Sequence, residues 1–471
     1  MIYSNNPRPE SLKAISDVIH VPFWLDDPAK PNPEPKLTQN ISTDLLIIGA
    51  GFTGLWTALL AKEENPSRNV VILEAGEVAQ GATGRNGGFM DASITHGFLN
   101  GLSRWRREIS TLHAFGIQNL AGIEATIKRL GIECDYQRTG EIDVATEPYL
   151  LDGFKQIIEL AKPYNIEFQI LDRDQIYAVV KSPLFIGGIK RFDSSIVNPA
   201  QLAWGLRKAC LDLGVRLYEH TPVTKLEEEN KTVIAHTPHG QIHAQKVALA
   251  TNAFPPLLKR ISYYVVPVYD YVLMTEPLTS PQRDSIGWHG REGLSDANNQ
   301  FHYFRTTKDG RILWGGYDAV YYWNNGFGTH LENNPASFAR LAEHFFQAFP
   351  QLERIRFTHA WGGAIDTCSR FSPFWGTAHH GKTAYAMGYT GNGVGATRFG
   401  ARVMLDMLDN KKTKRTALEF VRTKPIPFPP EPFRSIGINI SRWSLDQADR
   451  NQGRENLWLR AMDWLGLGFN S

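Results

Sequence analysis

The stretch "TDLLIIGAGFTGLWTALLAKE", Thr43 to Glu63, decides the fold. Leu45 to Ile48 is a continuous apolar run, the pattern of a strand buried on both faces in a parallel sheet. After it, Leu55, Ala58 and Leu59 recur at helical spacing. Between strand and helix stands G-x-G-x-x-G: Gly49, Gly51 and Gly54, with Phe52 and Thr53 inside the turn. Gly49 permits the tight turn, Gly51 lets backbone approach a pyrophosphate, and Gly54 lets the helix lie close on the strand. The helix N-terminus then faces the phosphate charge. "RNVVILEAG" is a second buried strand ending at Glu74, roughly 20 residues on, where a carboxylate grips ribose hydroxyls and disfavours a 2′-phosphate. This is a βαβ dinucleotide-binding unit, and both NAD and FAD satisfy it.

Two further glycine clusters separate those cofactors. "GATGRNGG", Gly81 to Gly88, follows the second strand closely, and "GYTGNGVG", Gly388 to Gly395, opens another helix with Phe399, Val403 and Met407 along its buried stripe. Glycine is costly in backbone entropy, so such density implies close approach of something to the chain. The N-terminus opened by the third cluster presents positive potential to developing negative charge, as a reduced flavin carries. Two loops and two helix N-termini imply a long cofactor, and FAD is the economical reading.

The rest of the chain weaves a second domain through the first. "IQNLAGIEATIKRLGIEC" reads as a helix stopped at Gly131. "VNPAQLAWGLRKACLDLGVRLYE" reads as a helix capped by Asn198, begun at Pro199 and ended at Gly214, with Leu202, Leu206, Cys210 and Leu213 inward. Val247 to Ala250 is another buried strand, and the aromatic, β-branched stretches from "YYVVPVYDYVLMTE" to "RILWGGYD" suggest an antiparallel sheet facing a cavity. The expected architecture is α/β (α+β overall), with a Rossmann-like FAD-binding domain built from discontinuous segments and interleaved with an antiparallel-sheet substrate domain. Residues 1–40 are expected as an extended surface arm. The FAD-binding domain takes 41–115, 187–260 and 355–415; the substrate domain takes 116–186 and 261–354; and 416–471 forms a Pro-rich strap with an amphipathic helix.

"LLIIGAGFTGLWTALLA", "VVILEAG", "GATGRNGG", "VALATNAF" and "GYTGNGVGATRFGARVMLDML" together resemble the D-amino-acid oxidase/glycine oxidase/sarcosine oxidase superfamily of flavoproteins. The loop at Gly84 to Gly88 and "AWGGAID" are most similar to γ-glutamylputrescine oxidoreductase-like members, and the likeness runs from about Thr43 to Leu408. The resemblance implies that Gly49, Gly51, Gly54 and Glu74 hold the ADP half. It sets Ala82, Thr83, Arg85, Asn86, Gly87 and Gly88 beside the pyrophosphate, ribityl chain and ring. Val223 would touch adenine through its backbone, Thr251 and Asn252 would close the site near the phosphates, and Gly391, Asn392, Gly393, Val394 and Gly395 would approach the pyrimidine end. Arg85 has a second reading, as a phosphate or surface ion-pair partner. Sarcosine oxidases attach flavin through a cysteine close to the place of Cys368, but "WGGAIDTCSRFSP" does not otherwise match, which favours noncovalent FAD. A lysine associated with oxygen activation in those relatives is replaced by Trp314, implying slow reoxidation by oxygen.

For the substrate, alternation in "FHYFR" puts His302 and Phe304 on one face and Tyr303 and Arg305 on the other. Tyr303 and Arg305 are the cavity candidates, with Arg305 taken either as the binder of an anionic group or as a rim ion-pair partner. Tyr269 and Tyr271 share a face of "VYDYVLM" and are expected to line the site as well.

The 471 residues are 42% hydrophobic and 21% charged with a formal charge of +2, a balance that does not point to nucleic acid. Three scattered cysteines fit a reducing compartment and neither a disulfide framework nor a zinc site, and no metal-spaced cluster stands out. Neither a signal peptide nor an apolar run of the roughly 18 residues a span requires is recognisable, so the expected location is cytoplasmic. The reading is an FAD-dependent oxidoreductase that oxidises the C–N bond of a primary or secondary amine or amino acid. Hydride passes to flavin N5, the imine is hydrolysed to aldehyde or keto acid, and the partners are a small-molecule amine and oxygen or another electron acceptor. The rivals are an NAD(P)H-dependent flavin hydroxylase and a non-catalytic flavoprotein subunit of a larger complex. The identity of the amine and the oligomeric state are left open.

Overall fold

The computed structural model describes residues 3–468. Its strand Ile41–Ile48 pairs in parallel with Gly240–Leu249 on one side and Val70–Leu73 on the other. Arg216–Tyr218 extends the sheet in parallel beyond Val70–Leu73, and Thr383–Met387 does so beyond Gly240–Leu249. The helix Phe52–Glu64 crosses this sheet and is buried from Phe52 to Lys62. It is apolar nearly all round because the sheet, Pro199–Asp212 and Gly393–Leu408 enclose it. The helices Ile109–Leu130 and Pro199–Asp212 end and begin as read from the sequence: Gly131 is left-handed at φ 60°, and Asn198 accepts from the Ala200 and Gln201 N–H groups. Leu213, at the frayed end of the second helix, is exposed rather than inward.

Among the described residues the second large sheet has nine strands, most of them antiparallel. Val266–Thr275 lies along Phe357–Thr367 and also pairs with Ile312–Gly316, which leads through His302–Thr306 and Gly293–Asp296 to Glu141–Ala145, Gly187–Arg191 and Phe168–Leu171. Three of the expected domain boundaries move accordingly. Gly187–Arg191 and Phe357–Thr367 belong to this sheet and not to the dinucleotide-binding one, because their partners are its strands. The helix Ile109–Leu130, cut at 115 in the sequence reading, packs as one piece on Gly393–Leu408.

The first 40 residues are not a simple surface arm. They contain a helical turn, Pro9–Ala14, and drive Trp24 and Leu37 into separate cores. Single aromatics without periodicity carry no sequence signal of burial, yet Trp24 is 2% exposed. At the other end, the helices Phe433–Arg450 and Leu457–Trp464 fold back over the junction of the two large sheets. The end of "WLGLGF" at Phe469 lies outside the described residues. Among the described residues, no helix is long and apolar enough to cross a membrane.

Candidate active site

A cavity of about 1520 Å³ runs from the first glycine turn, between the two sheets, to the C-terminal helices. Gly49 has φ +104°, and a Cβ there would lie 2.4 Å from the Ala250 carbonyl oxygen, so the turn admits no side chain. A Cβ on Gly54 would strike the Gly49 carbonyl, which makes Gly54 a packing glycine off the cavity wall. Gly51 and Asn392, the N-caps of Phe52–Glu64 and Gly393–Leu408, supply no side-chain cap, and both helix starts line the cavity. The Asn392 amide donates instead to the Ser93 carbonyl, at 2.7 Å. Uncapped N-termini opening on one space are where anionic groups are held. Glu74 accepts from the Ala50 N–H at 2.7 Å and the Gly76 N–H at 2.9 Å, and burial raises its pKa. Its oxygens retain acceptor capacity for ribose hydroxyls. Val223, Thr251 and Asn252 line the same end. These residues fit an FAD.

The loop from Gly81 to Gly88 is held from three sides. The Asn86 amide donates to the Ala82 and Thr83 carbonyls at 3.1 and 2.7 Å, while its Oδ1 accepts from Gly88 N–H at 2.8 Å. Trp24 Nε1 donates to the Asn86 carbonyl at 2.8 Å and Trp361 Nε1 to the Arg85 carbonyl at 2.9 Å. Thr83 Oγ1 takes the Phe52 N–H at 3.1 Å, tying this loop to the first glycine turn. Ala82, Thr83, Arg85, Asn86 and Gly87 line the cavity, and Arg85 pairs there with Glu332 at 3.0 Å. Three of the loop's four glycines answer to protein neighbours. A Cβ on Gly84 would meet the Ala79 carbonyl at 2.5 Å, on Gly87 the Tyr303 ring at 2.9 Å, and on Gly88 the Val197 carbonyl at 2.2 Å. Gly88 therefore lies off the cavity, as does Gly395, packed on the Asp91 carbonyl; Gly391, Asn392, Gly393 and Val394 line it.

Three of the four substrate-residue expectations need correction. Tyr303 faces the cavity, but Arg305 does not. Arg305 shares the face of Tyr303, two residues along the strand, where the cavity has given way to Trp24 and the carbonyls of Gly88 and Val197. Tyr269 and Tyr271 point into the opposite core, their hydroxyls bound at Gly328 and at Tyr322 and Leu331. Their strand turns Val268, Asp270 and Val272 to the cavity instead. Trp314 is also in that opposite core, against Phe304, Phe345 and Phe349, so it does not stand at the cavity in place of a lysine. Cys368 is fully buried, with its Sγ 3.2 Å from the Ser372 carbonyl, and is absent from the cavity wall.

The polar residues that do face the cavity come largely from positions without a sequence signal. Tyr303 Oη donates to Asp270 Oδ2 at 2.6 Å, and burial pushes Asp270 up to about 6. Asp366 accepts from Gly388 and Tyr389 N–H groups at 2.7 and 3.2 Å and is likewise pushed by burial to about 6. Farther in, Arg191 pairs with Glu141 at 2.8 Å, Ser194 Oγ donates to Asp91 and Glu141, and Ser295 Oγ donates to Asp143. Burial raises the Glu141 carboxyl despite Arg191, and it pulls His96 down to about 4, leaving a neutral imidazole at neutral pH. Ile426, Phe428, Leu445, Trp458 and Met462 close the outer wall from the C-terminal segment.

A dinucleotide-binding sheet with a parallel core, fused to a mostly antiparallel one across a cavity lined by the glycine turns and Glu74, is the architecture of a flavoprotein oxidoreductase. The chain belongs to the DAO family, FAD dependent oxidoreductase, whose model matches residues 44–407. It is 29% identical over 393 residues to the probable oxidoreductase OrdL of Haemophilus influenzae, covering 79% of this chain and 84% of that protein. It is also 29% identical over 415 residues to the gamma-glutamylputrescine oxidoreductase of Escherichia coli, covering 84% and 90% respectively. Among solved structures, glycine oxidase from Geobacillus kaustophilus superposes with a TM-score of 0.68 at 19% identity, over 82% of this chain and 99% of that one.

Proposed function

We propose that the protein oxidises the C–N bond of a primary or secondary amine or an amino acid to an imine that water hydrolyses to an aldehyde or keto acid. The observation that carries this reading is the continuity of the cavity from the dinucleotide turn at Gly49 to the half-buried Tyr303–Asp270 pair. The gamma-glutamylputrescine oxidoreductase among its relatives supports it. Bound FAD supplies the acceptor for the hydride that leaves the substrate α-carbon. The chain's own residues do the rest. Gly51 and the uncapped start of Phe52–Glu64 hold the phosphates, the uncapped start of Gly393–Leu408 faces the pyrimidine end of the ring, and Glu74 orients the ribose. Tyr303 shapes the space over Gly87, and the C-terminal helices exclude water from the outer wall. Arg305 selects no substrate, because it does not reach the cavity.

The test is a panel of amines and amino acids mixed anaerobically with the FAD-loaded protein. Loss of the oxidised flavin absorbance, with stoichiometric aldehyde or keto acid, is expected for at least one of them. No bleaching by any amine, together with consumption of NADPH, would transfer the protein to the hydroxylase class.

A further inference from the structure

Asp270 is a half-buried carboxylate in the strand Val266–Thr275, and it lines the cavity. Oδ1 accepts the Tyr271 N–H at 2.7 Å and Oδ2 the Tyr303 hydroxyl at 2.6 Å. The neighbouring strands leave it room: its register partner in Phe357–Thr367 is Gly363, and beside Tyr303 the strand Ile312–Gly316 ends in Gly315 and Gly316. A Cβ at Gly315 would lie 2.7 Å from the Tyr303 ring, and one at Gly87 would lie 2.9 Å from it. Glycines on two sides thus fix the phenol over the loop that borders the cofactor cleft.

The charges around the pair all leave Asp270 without a cation. Tyr303 comes from His302–Thr306, and the carboxylate that acts on Asp270 through space is Asp318, itself held by Ser337 Oγ and Arg340. Behind Gly363, Arg85 is engaged by Glu332. Buried charges in proteins are normally paired. A carboxylate withdrawn from the protein surface, hydrogen-bonded only by neutral donors and open to a substrate cavity lacks one partner, and an ammonium supplies it.

We propose that Asp270, directly or through the Tyr303 hydroxyl, accepts the proton that the substrate ammonium must lose before its α-carbon is oxidised. This rests on the amine-oxidation reading above. In the relayed form, the ammonium N–H bond breaks, its proton goes to Tyr303 Oη, and the Tyr303 proton goes to Asp270 Oδ2. No electrons change hands in this step. The nitrogen lone pair so freed supports departure of hydride, and Asp270 returns its proton to water once product leaves. Burial sets Asp270 near 6, ionised at neutral pH and thus able to accept.

The experiment uses the FAD-loaded full chain as wild type, Asp270→Asn, Asp270→Glu and Tyr303→Phe. With an amine that bleaches the wild type anaerobically, the second-order rate constant for bleaching is expected to fall about tenfold per pH unit below about 6. Asp270→Asn should move the break in that limb up to the substrate ammonium's own pKa and be slower by on the order of a hundredfold at neutral pH, Asp270→Glu should restore the break near about 6, and Tyr303→Phe should slow the reaction while keeping it. A second readout needs no amine: inorganic sulfite bleaches many flavins, and removing a nearby negative charge should tighten its binding about tenfold in Asp270→Asn at pH 7.5. Asp270→Asn that bleaches within threefold of wild type with the same limb overturns the proposal. So does unchanged sulfite affinity in a variant that retains FAD. If Asp270→Asn loses FAD, an Asp270→Glu variant that retains FAD but lacks the break near about 6 overturns it. If no amine bleaches the wild type, the underlying reading fails, and the sulfite comparison still decides whether Asp270 puts charge at the flavin.

Discussion

The Arg305 guanidinium donates to the Val197 carbonyl at 2.6 Å and to the Gly88 carbonyl at 3.1 Å, so it binds the flavin loop to the chain that leads into Pro199–Asp212. Trp24 lies against it, with the guanidinium carbon 5.4 Å from the ring centre. Arg305→Met should therefore cost stability, about 1–3 kcal/mol, because the buried Val197 carbonyl loses its donor while the Gly88 carbonyl keeps only the Val197 N–H. It should leave the ratio of KM values for acidic and neutral amines unchanged. Chemical denaturation and FAD retention check the first statement. A fully stable variant with a KM raised tenfold for acidic amines alone would return Arg305 to the cavity.

The two adjacent glycines of the loop should respond differently to the same change. Gly88 has φ +76°, and its Cβ would lie 2.2 Å from a backbone oxygen, so Gly88→Ala should yield little folded protein. Gly87 has ordinary backbone, and its Cβ would press on the Tyr303 and Phe89 rings. Gly87→Ala should fold, keep FAD, and bleach at least tenfold more slowly because Tyr303 must shift. Equal FAD loss in both variants would contradict this division.

Those two glycines also show where sequence reading stops. The strand–turn–helix at Leu45 to Leu59, the place of Glu74 at the end of the second strand and the helix starts that open on the cavity follow from local spacing and are as expected. The density of "GATGRNGG" was visible, but what crowds it was not. Tyr303, Val197 and Leu25 arrive from residues 216, 109 and 59 positions away from Gly87, Gly88 and Gly84, and no local pattern encodes that. Parity failed in the same way. Alternation in "VYDYVLM" sorts residues into two faces without saying which one meets the cavity, and the lone Asp270 was the informative residue. The run His302 to Arg305 was sorted correctly, but the cavity ends before Arg305 because the N-terminal segment inserts Trp24 there.

FAD should be held without a covalent bond. The Cys368 thiol is enclosed by Ser372 and Gly388 carbonyls, and burial raises its pKa, so no reactive thiolate faces the cofactor cleft. Acid precipitation should leave yellow cofactor in the supernatant, equally for wild type and Cys368→Ser. Colour that stays with the wild-type pellet and leaves it in the variant would refute the assignment.

Asp366 should make a measurable, oppositely signed contribution to acid stability. Its folded pKa of about 6 lies above the ordinary 3.8 because burial outweighs the N–H groups it accepts. The folded state thus binds its proton more tightly than the unfolded chain does. This contribution is fully present below the ordinary value and is lost as pH rises through about 6. The stability of wild type minus that of Asp366→Asn should fall between pH 4 and 6.5 and level off above that. Denaturation midpoints for both proteins across this range check it, and a difference that rises with pH would show that the carboxylate is held ionised.

The C-terminal segment should govern substrate affinity without governing cofactor binding. It lies outside the family-matched residues 44–407, yet it forms the outer wall of the cavity. It is pinned at separate points: Ser369 Oγ donates to the Ile426 carbonyl at 2.6 Å, and Tyr321 Oη to Glu431 at 2.6 Å. Asp449 accepts the Asn299 and Gln300 N–H groups at 3.0 and 2.9 Å. The nucleotide end, by contrast, is built from the glycine turns, Glu74 and Val223, none of which this segment pins. Asp449→Ala removes one anchor and leaves two backbone donors seeking water, which should loosen the wall next to Asn299 and Gln300. The expected result is a KM for the amine raised on the order of tenfold, a smaller change in the limiting anaerobic bleaching rate, and an unchanged FAD content. Trp458→Ala, which opens space in the same wall while keeping that anchor, should shift preference toward bulkier amines. Loss of FAD from both variants would mean that the C-terminal helices support the cofactor cleft itself.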